Sequence, residues 1–263
     1  MKENEFLKER ERLNDVVFKY AGKEIKRFFS LDGQFYREGN LDEKTKEMLG
    51  LCASMVLRCD DCIKYHITRS KELGATNAEL EEVMGISTIV GGSIVIPHMR
   101  RAFDFIDKNF LPDEYFILIK EVKKIIKKEL SKDEKLLEIC KLLEEKIEYF
   151  DWVGFYFVDP DKDRELVLGP YIGAPTDHIR IPFGEGICGQ AAEREISFVV
   201  QDVSMESNYL SCGDSVKSEI LSPIFKNGNI IGEIDIDSHS VSPFNENDRV
   251  LLETIAEIVE EIL

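Results

Sequence analysis

The hydrophobic period changes from helical to two at Trp152, and that change limits the possible folds more than any other feature. Up to about residue 110, apolar residues recur at helical spacing and no good hairpin signal interrupts them. Residues 5–29 and 41–58 both follow this pattern. "LDEKTKEMLGLCASMVL" opens with acids and sets Leu49, Leu51, Cys52, Met55 and Val56 on a broad apolar stripe. "CDDCIKYHITRSKELG" reads as another helix ending at Gly74, and "TNAELEEVMGISTIVGGSIVI" as further helical turns, with Thr76 and Glu79 as a capping box. After "FLPDEY", residues 110–115, come two amphipathic helices, with Cys140 on the apolar side of the second. From Trp152 the period becomes two, in "WVGFYFVD", "ELVLGPYIG" and "SEILSPIFKNGNIIGEIDIDS". "KNGN" is a hairpin signal, "GEGICGQAAERE" a glycine turn into a short helix, and Asn245 to Ile262 a closing helix. The expectation is a multidomain chain. An all-α domain spans 1–110 and an α+β domain spans 111–263, the latter with a central antiparallel sheet.

Charge follows the same division. Of the net −17, about −1 falls on the first 110 residues and about −16 on the rest. Such an acidic chain argues against nucleic acid and anionic membrane as partners. The opening "MKENEFLKERERL" has no apolar signal-peptide core, and the run "GISTIVGGSIVIP" falls well short of the ~20 residues that span a bilayer. A cytoplasmic location is expected. There, six cysteines point to thiol chemistry or packing rather than to structural disulfides.

In "LRCDDCIKYHI", Cys59, Cys62 and His66 stand at i, i+3 and i+7, one face of a helix. The imidazole lies one turn beyond Cys62, and a nearby base supplies the thiolate that disulfide exchange requires. Glu47, on the preceding helix, could orient His66. Zinc would need four ligands, and the chain has no second Cys/His pair, so no metal is expected. Redox work and an inert buried pair both remain open from spacing alone, although Asp60 and Asp61 between the thiols argue for exposure at a helix start. Cys52 and Cys140 read as core, and His98 in "IPHMRR" has no assigned role.

The set Glu47, Cys59, Cys62 and His66 resembles the alkylhydroperoxidase D-like group of the carboxymuconolactone decarboxylase superfamily, over roughly residues 20–110. The resemblance implies that Cys62 is the thiolate activated by a Glu47–His66 relay, with Cys59 as its disulfide partner, and that the helical domain forms homo-oligomers. The best-studied peroxidases of the group carry a second histidine between the cysteines, where this chain has Asp60 and Asp61. Disulfide reduction is therefore favoured over peroxide reduction.

In the acidic half, Cys212 lies in a polar loop beside Gly213, while Cys188 faces the start of a short helix, where a small buried filler is the ordinary reading. Along "GEIDIDS", Ile234 and Ile236 point one way and Glu233, Asp235 and Asp237 the other. A solvated strand face is the default. Yet three acids on one face repel, and with Glu219 on the strand before they could hold one carboxyl protonated near neutrality. A thiolate, a neutral acid and carboxylates suit attack on a sulfoxide and capture of an ammonium group. Trp152 and Tyr156 could wall an apolar side chain.

"DWVGFYFVD", "LVLGPYIG", "RIPFGEGICGQAA", "VVQDV", "CGDSVKSEI" and "IIGEIDIDS" together resemble the free methionine-(R)-sulfoxide reductases, enzymes built on a GAF domain, over residues 113–263. The resemblance implies that Cys212 is the nucleophile. It also implies that Glu219, Asp235 and Asp237 bind the substrate ammonium and assist the sulfoxide oxygen, that Trp152 and Tyr156 line the pocket, and that Cys188 is a secondary thiol. The family's usual resolving cysteine falls at His178. The dithiol Cys59/Cys62 is therefore expected to supply the missing reducing power, recharged by an external dithiol such as thioredoxin or dihydrolipoamide, with no bound cofactor. Two other readings stay open: a GAF redox or ligand sensor, and a helical peroxidase or disulfide reductase merely fused to it. His239 is expected in a surface loop.

Overall fold

Short polar caps decide where four of the helices begin. In the computed structural model, which describes residues 5–162, 164–210 and 215–263, the chain divides into two units, 1–113 and 114–263. The first unit is helical: α1 (Glu5–Tyr20), α2 (Lys23–Phe35), α3 (Glu43–Leu57), α4 (Asp60–Glu72), α5 (Asn77–Gly91) and α6 (Ile96–Asn109). Asp42 caps α3 by accepting from the Thr45 amide, and Thr76 with Glu79 forms the expected capping box on α5. The run 5–29 is split by Ala21 and Gly22 into two helices.

The core of this unit is built from α3 to α6, with Leu51, Met55, Ile63, Ile67, Leu80 and Met84 fully or almost fully buried. The stripe on α3 is narrower than its sequence suggests. Leu49 is exposed and Cys52 only half-buried, because the face toward α4 and α5 takes Leu51 and Met55. Helices α1 and α2 bury none of their residues.

The second unit begins with α7 (Asp113–Ile125) and α8 (Lys132–Lys146), followed by β1 (Trp152–Val158), β2 (Glu165–Ile172), β3 (Arg180–Pro182), α9 (Gly186–Arg194), β4 (Phe198–Val200), β5 (Ser218–Lys226), β6 (Asn229–Ser238) and α10 (Glu246–Val259). The strands form one antiparallel sheet in the order β3-β2-β1-β6-β5-β4. Asn227 and Gly228 both take positive φ, 52° and 80°, which gives the β5–β6 hairpin its tight turn. One sheet face carries Val153, Phe155, Ile220, Ile234 and Ile236, and α8 and α10 pack on it. Helix α9 packs on the other face, against β5, β6 and β3. The sheet is therefore covered on both sides, and this decides the fate of the acids on β6. Cys140 is buried on α8, as expected.

Asp248 ties this unit together at its edge. One carboxyl oxygen accepts from the Tyr115 hydroxyl at 2.5 Å and from the Tyr149 hydroxyl at 2.8 Å, while the other accepts from the Asn245 amide in a capping box. Burial, with help from the carboxylate, pushes the Tyr149 phenol up to about 12. Asp248→Ala removes half of the α10 capping box and the buried acceptor shared by two hydroxyls, so a loss on the order of 2 kcal/mol is expected. Urea unfolding followed through Trp152, the chain's single tryptophan, reads that loss as a lower midpoint.

Candidate functional site

Each unit brings together one group of the residues singled out above. In the helical unit, Arg58 turns left-handed (φ 61°) and ends α3, and Cys59 becomes the N-cap of α4. Cys59 therefore precedes the helix and does not share its face, a departure from the i, i+3, i+7 reading. Its sulfur accepts from the Cys62 amide at 3.4 Å, and the two cysteines are paired in a disulfide with Cα atoms 5.3 Å apart. A helix N-terminus favours negative charge, so the reduced pair would sit where a thiolate is stabilised.

His66, one turn beyond Cys62, places Nδ1 2.6 Å from Glu47 Oε2, and both side chains are buried. The ring is held on its other sides by Tyr36 and Tyr65, with centroids 5.2 and 5.3 Å away. Burial and the Glu47 charge raise the Tyr36 phenol, so it stays protonated. Gly50 matters here because a Cβ at that position would come within 2.5 Å of His66 Cε1. Gly50→Ala is expected to push the imidazole off Glu47 and destabilise the helical unit by about 1–3 kcal/mol. A lower melting temperature together with an altered His66 imidazole NMR signal checks this.

Three residues near the dithiol were not assigned from sequence. His98 Nδ1 lies 2.7 Å from Asp60 Oδ1, and Arg101 Nε donates to Asp60 Oδ2 at 3.1 Å. Burial opposes the Asp60 charge, but His98 and Arg101 outweigh it and hold the carboxyl below its usual range. The first turn of α4 is thereby pinned to α6. The i, i+3 spacing of His98 and Arg101 was the available signal.

In the second unit, the solvated-face default for "GEIDIDS" is overturned. Glu233, Asp235 and Asp237 are all at most 2% exposed, as is Glu219 on the neighbouring strand. Strand register explains their grouping: Glu219 lies opposite Asp237 and Leu221 opposite Asp235, while Trp152 and Tyr156 on β1 lie opposite Asp237 and Glu233. Helix α9 closes over this face and brings the Cys188 sulfur to 3.5 Å from Glu219 Oε1 and 3.4 Å from Asp235 Oδ2. Cys188 is thus buried, as its ordinary reading held, but its thiol is directed at the acids.

Burial raises all four carboxyls. Glu219 is pushed well above its ordinary range by burial and then by Asp235 and Asp237. Glu233 and Asp237 are raised for the same two reasons, burial and the charge of Asp235. Asp235 is pushed up to about 7 by burial. In physical terms, a buried face of this kind demands protons or a cation.

Trp152 and Tyr156 stack with centroids 6.4 Å apart, and Tyr171, unassigned from sequence, stacks on Trp152 at 5.3 Å. The Trp152 indole donates to the Ala174 carbonyl, and the Tyr156 hydroxyl donates to the His178 carbonyl. These bonds fix an aromatic wall beside the acids. His178 also lines a small space with Cys188 and Glu219. His239 is largely exposed and pairs with Asp151. Cys212 lies outside the described residues.

Comparison with known proteins agrees with this division. Residues 25–105 match the carboxymuconolactone decarboxylase family, and residues 129–263 match the GAF domain. The chain is 35% identical over 155 residues to GAF domain-containing protein A of Dictyostelium discoideum, covering 59% of this chain and 96% of that protein. It is 34% identical over 122 residues to the free methionine-R-sulfoxide reductase of Escherichia coli (strain K12), covering 46% and 72%. Among solved structures it is similar to the free methionine-R-sulfoxide reductase from Neisseria meningitidis in complex with its substrate. There the identity is 35%, the TM-score 0.53, and the coverage 56% of this chain and 87% of that one. Among the described residues no helix is long and apolar enough to cross a membrane.

Proposed function

Because the chain belongs to the GAF-domain family, with free methionine-R-sulfoxide reductases among its relatives, and carries a carboxymuconolactone decarboxylase-family domain ahead of it, we propose that it reduces free L-methionine (R)-sulfoxide to methionine. The observation that carries this reading is the buried acid face under an aromatic wall. A free amino acid brings an ammonium group to satisfy the carboxylates and a thioether-like chain to lie against Trp152 and Tyr156. A peptide-bound residue has no such ammonium, so the same face selects for the free form.

In the proposed reaction the Cys212 sulfur attacks the sulfoxide sulfur. The oxygen passes to Cys212 as a sulfenic acid and methionine leaves as the thioether, the overall change being thiol plus sulfoxide to sulfenic acid plus thioether. Proton delivery to that oxygen falls to a carboxyl kept neutral by burial, Glu219 or Asp235. A second thiol then condenses with the sulfenic acid, releasing water and forming a disulfide. With His178 at the family's resolving position, that thiol comes from Cys188 or from the Cys59/Cys62 pair.

The same reading gives Cys62 the attacking role in disulfide exchange, with Cys59 closing the ring. Glu47 holds His66 through Nδ1, which leaves Nε2 as the atom to exchange the thiol proton. An external dithiol, thioredoxin or dihydrolipoamide in type, would reopen the Cys59–Cys62 disulfide. Homo-oligomers through the helical unit are supported by its uncovered apolar side chains. Tyr20 is 87% exposed, Phe35 71% and Ile89 87%, surface that a second copy would bury.

A single-turnover experiment tests the scheme. Fully reduced protein, freed of reductant, is given the (R)-sulfoxide, and methionine per chain is counted beside the mapped disulfides. About one methionine per chain with a Cys59–Cys62 disulfide is expected. Methionine with Cys59 and Cys62 still reduced would leave the reductase standing and remove the coupling. No methionine at all would turn the reading toward a sensor.

A further inference from the structure

The thiol of α9 and the carboxyls of the sheet also form a donor set of a different kind. Cys188 Sγ, a Glu219 oxygen and an Asp235 oxygen all lie within 4.8 Å of one another, and all three residues are buried. Sulfur stands 3.5 Å from the Glu219 oxygen and 3.4 Å from the Asp235 oxygen. A Zn–S bond of about 2.3 Å and a Zn–O bond of about 2.0 Å put sulfur and oxygen roughly 3.5 Å apart on the edge of a tetrahedron. The two sulfur-to-carboxylate spacings therefore match two edges of a tetrahedral zinc site.

A second observation points to a ligand there. Glu233 has zero exposure and shares the sheet face with Asp235. Both of its oxygens, with Asp235 Oδ1 and Asp237 Oδ1, lack a hydrogen-bond partner among the described residues. Buried carboxyl oxygens are ordinarily paired, so four orphans in one patch leave room for a bound cation or water as their partner. The adjoining space lined by His178, Ile187, Cys188 and Glu219 measures about 10 Å³, close to the room one water or ion needs.

We propose that Cys188, Glu219 and Asp235 form a site for a thiophilic divalent cation of the zinc type, which competes with the substrate's ammonium group for the same carboxylates. The competition rests on the sulfoxide reading above. The metal site rests only on the donor geometry and the orphaned oxygens. Binding changes no oxidation state: the Sγ–H bond breaks, its proton goes to solvent, and an Sγ–metal bond forms. Water takes the fourth position, with Glu233 as its acceptor. A sulfur ligand selects zinc over magnesium or calcium, which prefer all-oxygen sites. The function of such a site is inhibition, since two cations cannot share one pair of carboxylates. Sequence reading expected no metal because the chain has no second Cys/His pair, whereas these three ligands come from separate stretches of chain.

The test titrates full-length protein with ZnCl2 by equilibrium dialysis and elemental analysis, keeping Cys59–Cys62 oxidised so that this pair offers no thiolate. A Cys212→Ser background removes that thiol as well. One zinc per chain is expected, with affinity at least about 100-fold weaker in Cys188→Ala, no retention of magnesium, and displacement by free methionine (R)-sulfoxide. Should Cys188→Ala fail to fold, Asp235→Asn carries the same expectation. Equal zinc binding in the variants, or none in the parent, overturns the site, and zinc that sulfoxide does not displace overturns the competition. Turnover of metal-free protein without the Cys212→Ser change, measured in parallel, separates the two ideas. Its absence sinks the reductase reading, whereas turnover without zinc retention sinks the metal site alone.

Discussion

Methionine formation from the free (R)-sulfoxide is expected to fall by at least about a thousandfold when Cys212 is replaced by serine. The physical reason is nucleophilicity. A cysteine thiol is partly ionised near neutrality, and its soft sulfur bonds readily to the sulfoxide sulfur. A serine hydroxyl is un-ionised there, and its oxygen cannot take over the sulfoxide oxygen as a sulfenic acid. Binding should survive, because the groups proposed to hold the ammonium and side chain are Glu219, Asp235, Asp237, Trp152 and Tyr156. Trp152 is the chain's single tryptophan, and its indole lies on the face that carries the acids, so its fluorescence should still respond to the sulfoxide in the Cys212→Ser protein. Lost turnover with retained binding supports the assignment. Retained turnover would move the nucleophile elsewhere, first to Cys188, whose sulfur already touches two of the acids.

The second large effect concerns pH. Folding raises the pKa of Asp235 from its ordinary value to about 7 and raises those of Glu219, Glu233 and Asp237 in the same direction. A group raised in this way gives stability that is fully present below its unfolded pKa and is lost as pH climbs through the folded one. For Asp235 the window runs from about 4 to about 7. Its contribution across that window is on the order of a few kcal/mol. The ligand-free second unit should therefore lose stability from pH 4 to pH 8, seen as a falling urea midpoint of Trp152 fluorescence.

Free methionine should reverse the trend, because its ammonium is proposed to bind the carboxylate form. Its stabilising effect is expected to be larger at pH 8 than at pH 5. The control is Asp235→Asn, in which the slope with pH should flatten. A stability that rises with pH over this window, or an unchanged slope in Asp235→Asn, would contradict the buried-acid account.

Much of the architecture was legible locally. The switch from period 3.6 to period two separated a helical part from a sheet. Thr76 and Glu79 marked the start of α5, and "KNGN" the β5–β6 hairpin, because caps and tight turns depend on a few consecutive residues. The spacing of Glu47, Cys59, Cys62 and His66 was also readable, since helical geometry ties sequence distance to position. Even so, the Cys59 end of that set required the structure. A left-handed Arg58 ends α3 and makes Cys59 a cap, and nothing in the spacing distinguishes a cap from the first helical residue.

What the sequence could not decide was burial. Alternation in "GEIDIDS" determined that Glu233, Asp235 and Asp237 share one face, because successive side chains of any strand alternate. Whether that face meets water depends on what lies over it, and α9 comes from a segment more than 40 residues earlier. The same holds for Asp60, whose partners His98 and Arg101 stand on a helix that only folding brings near. The sequence by itself determined periods, caps, turns and the thiol spacing, all set by neighbours along the chain. The tertiary structure decided which acids lost their water and which thiol faced them, because desolvation comes from every element packed around a group.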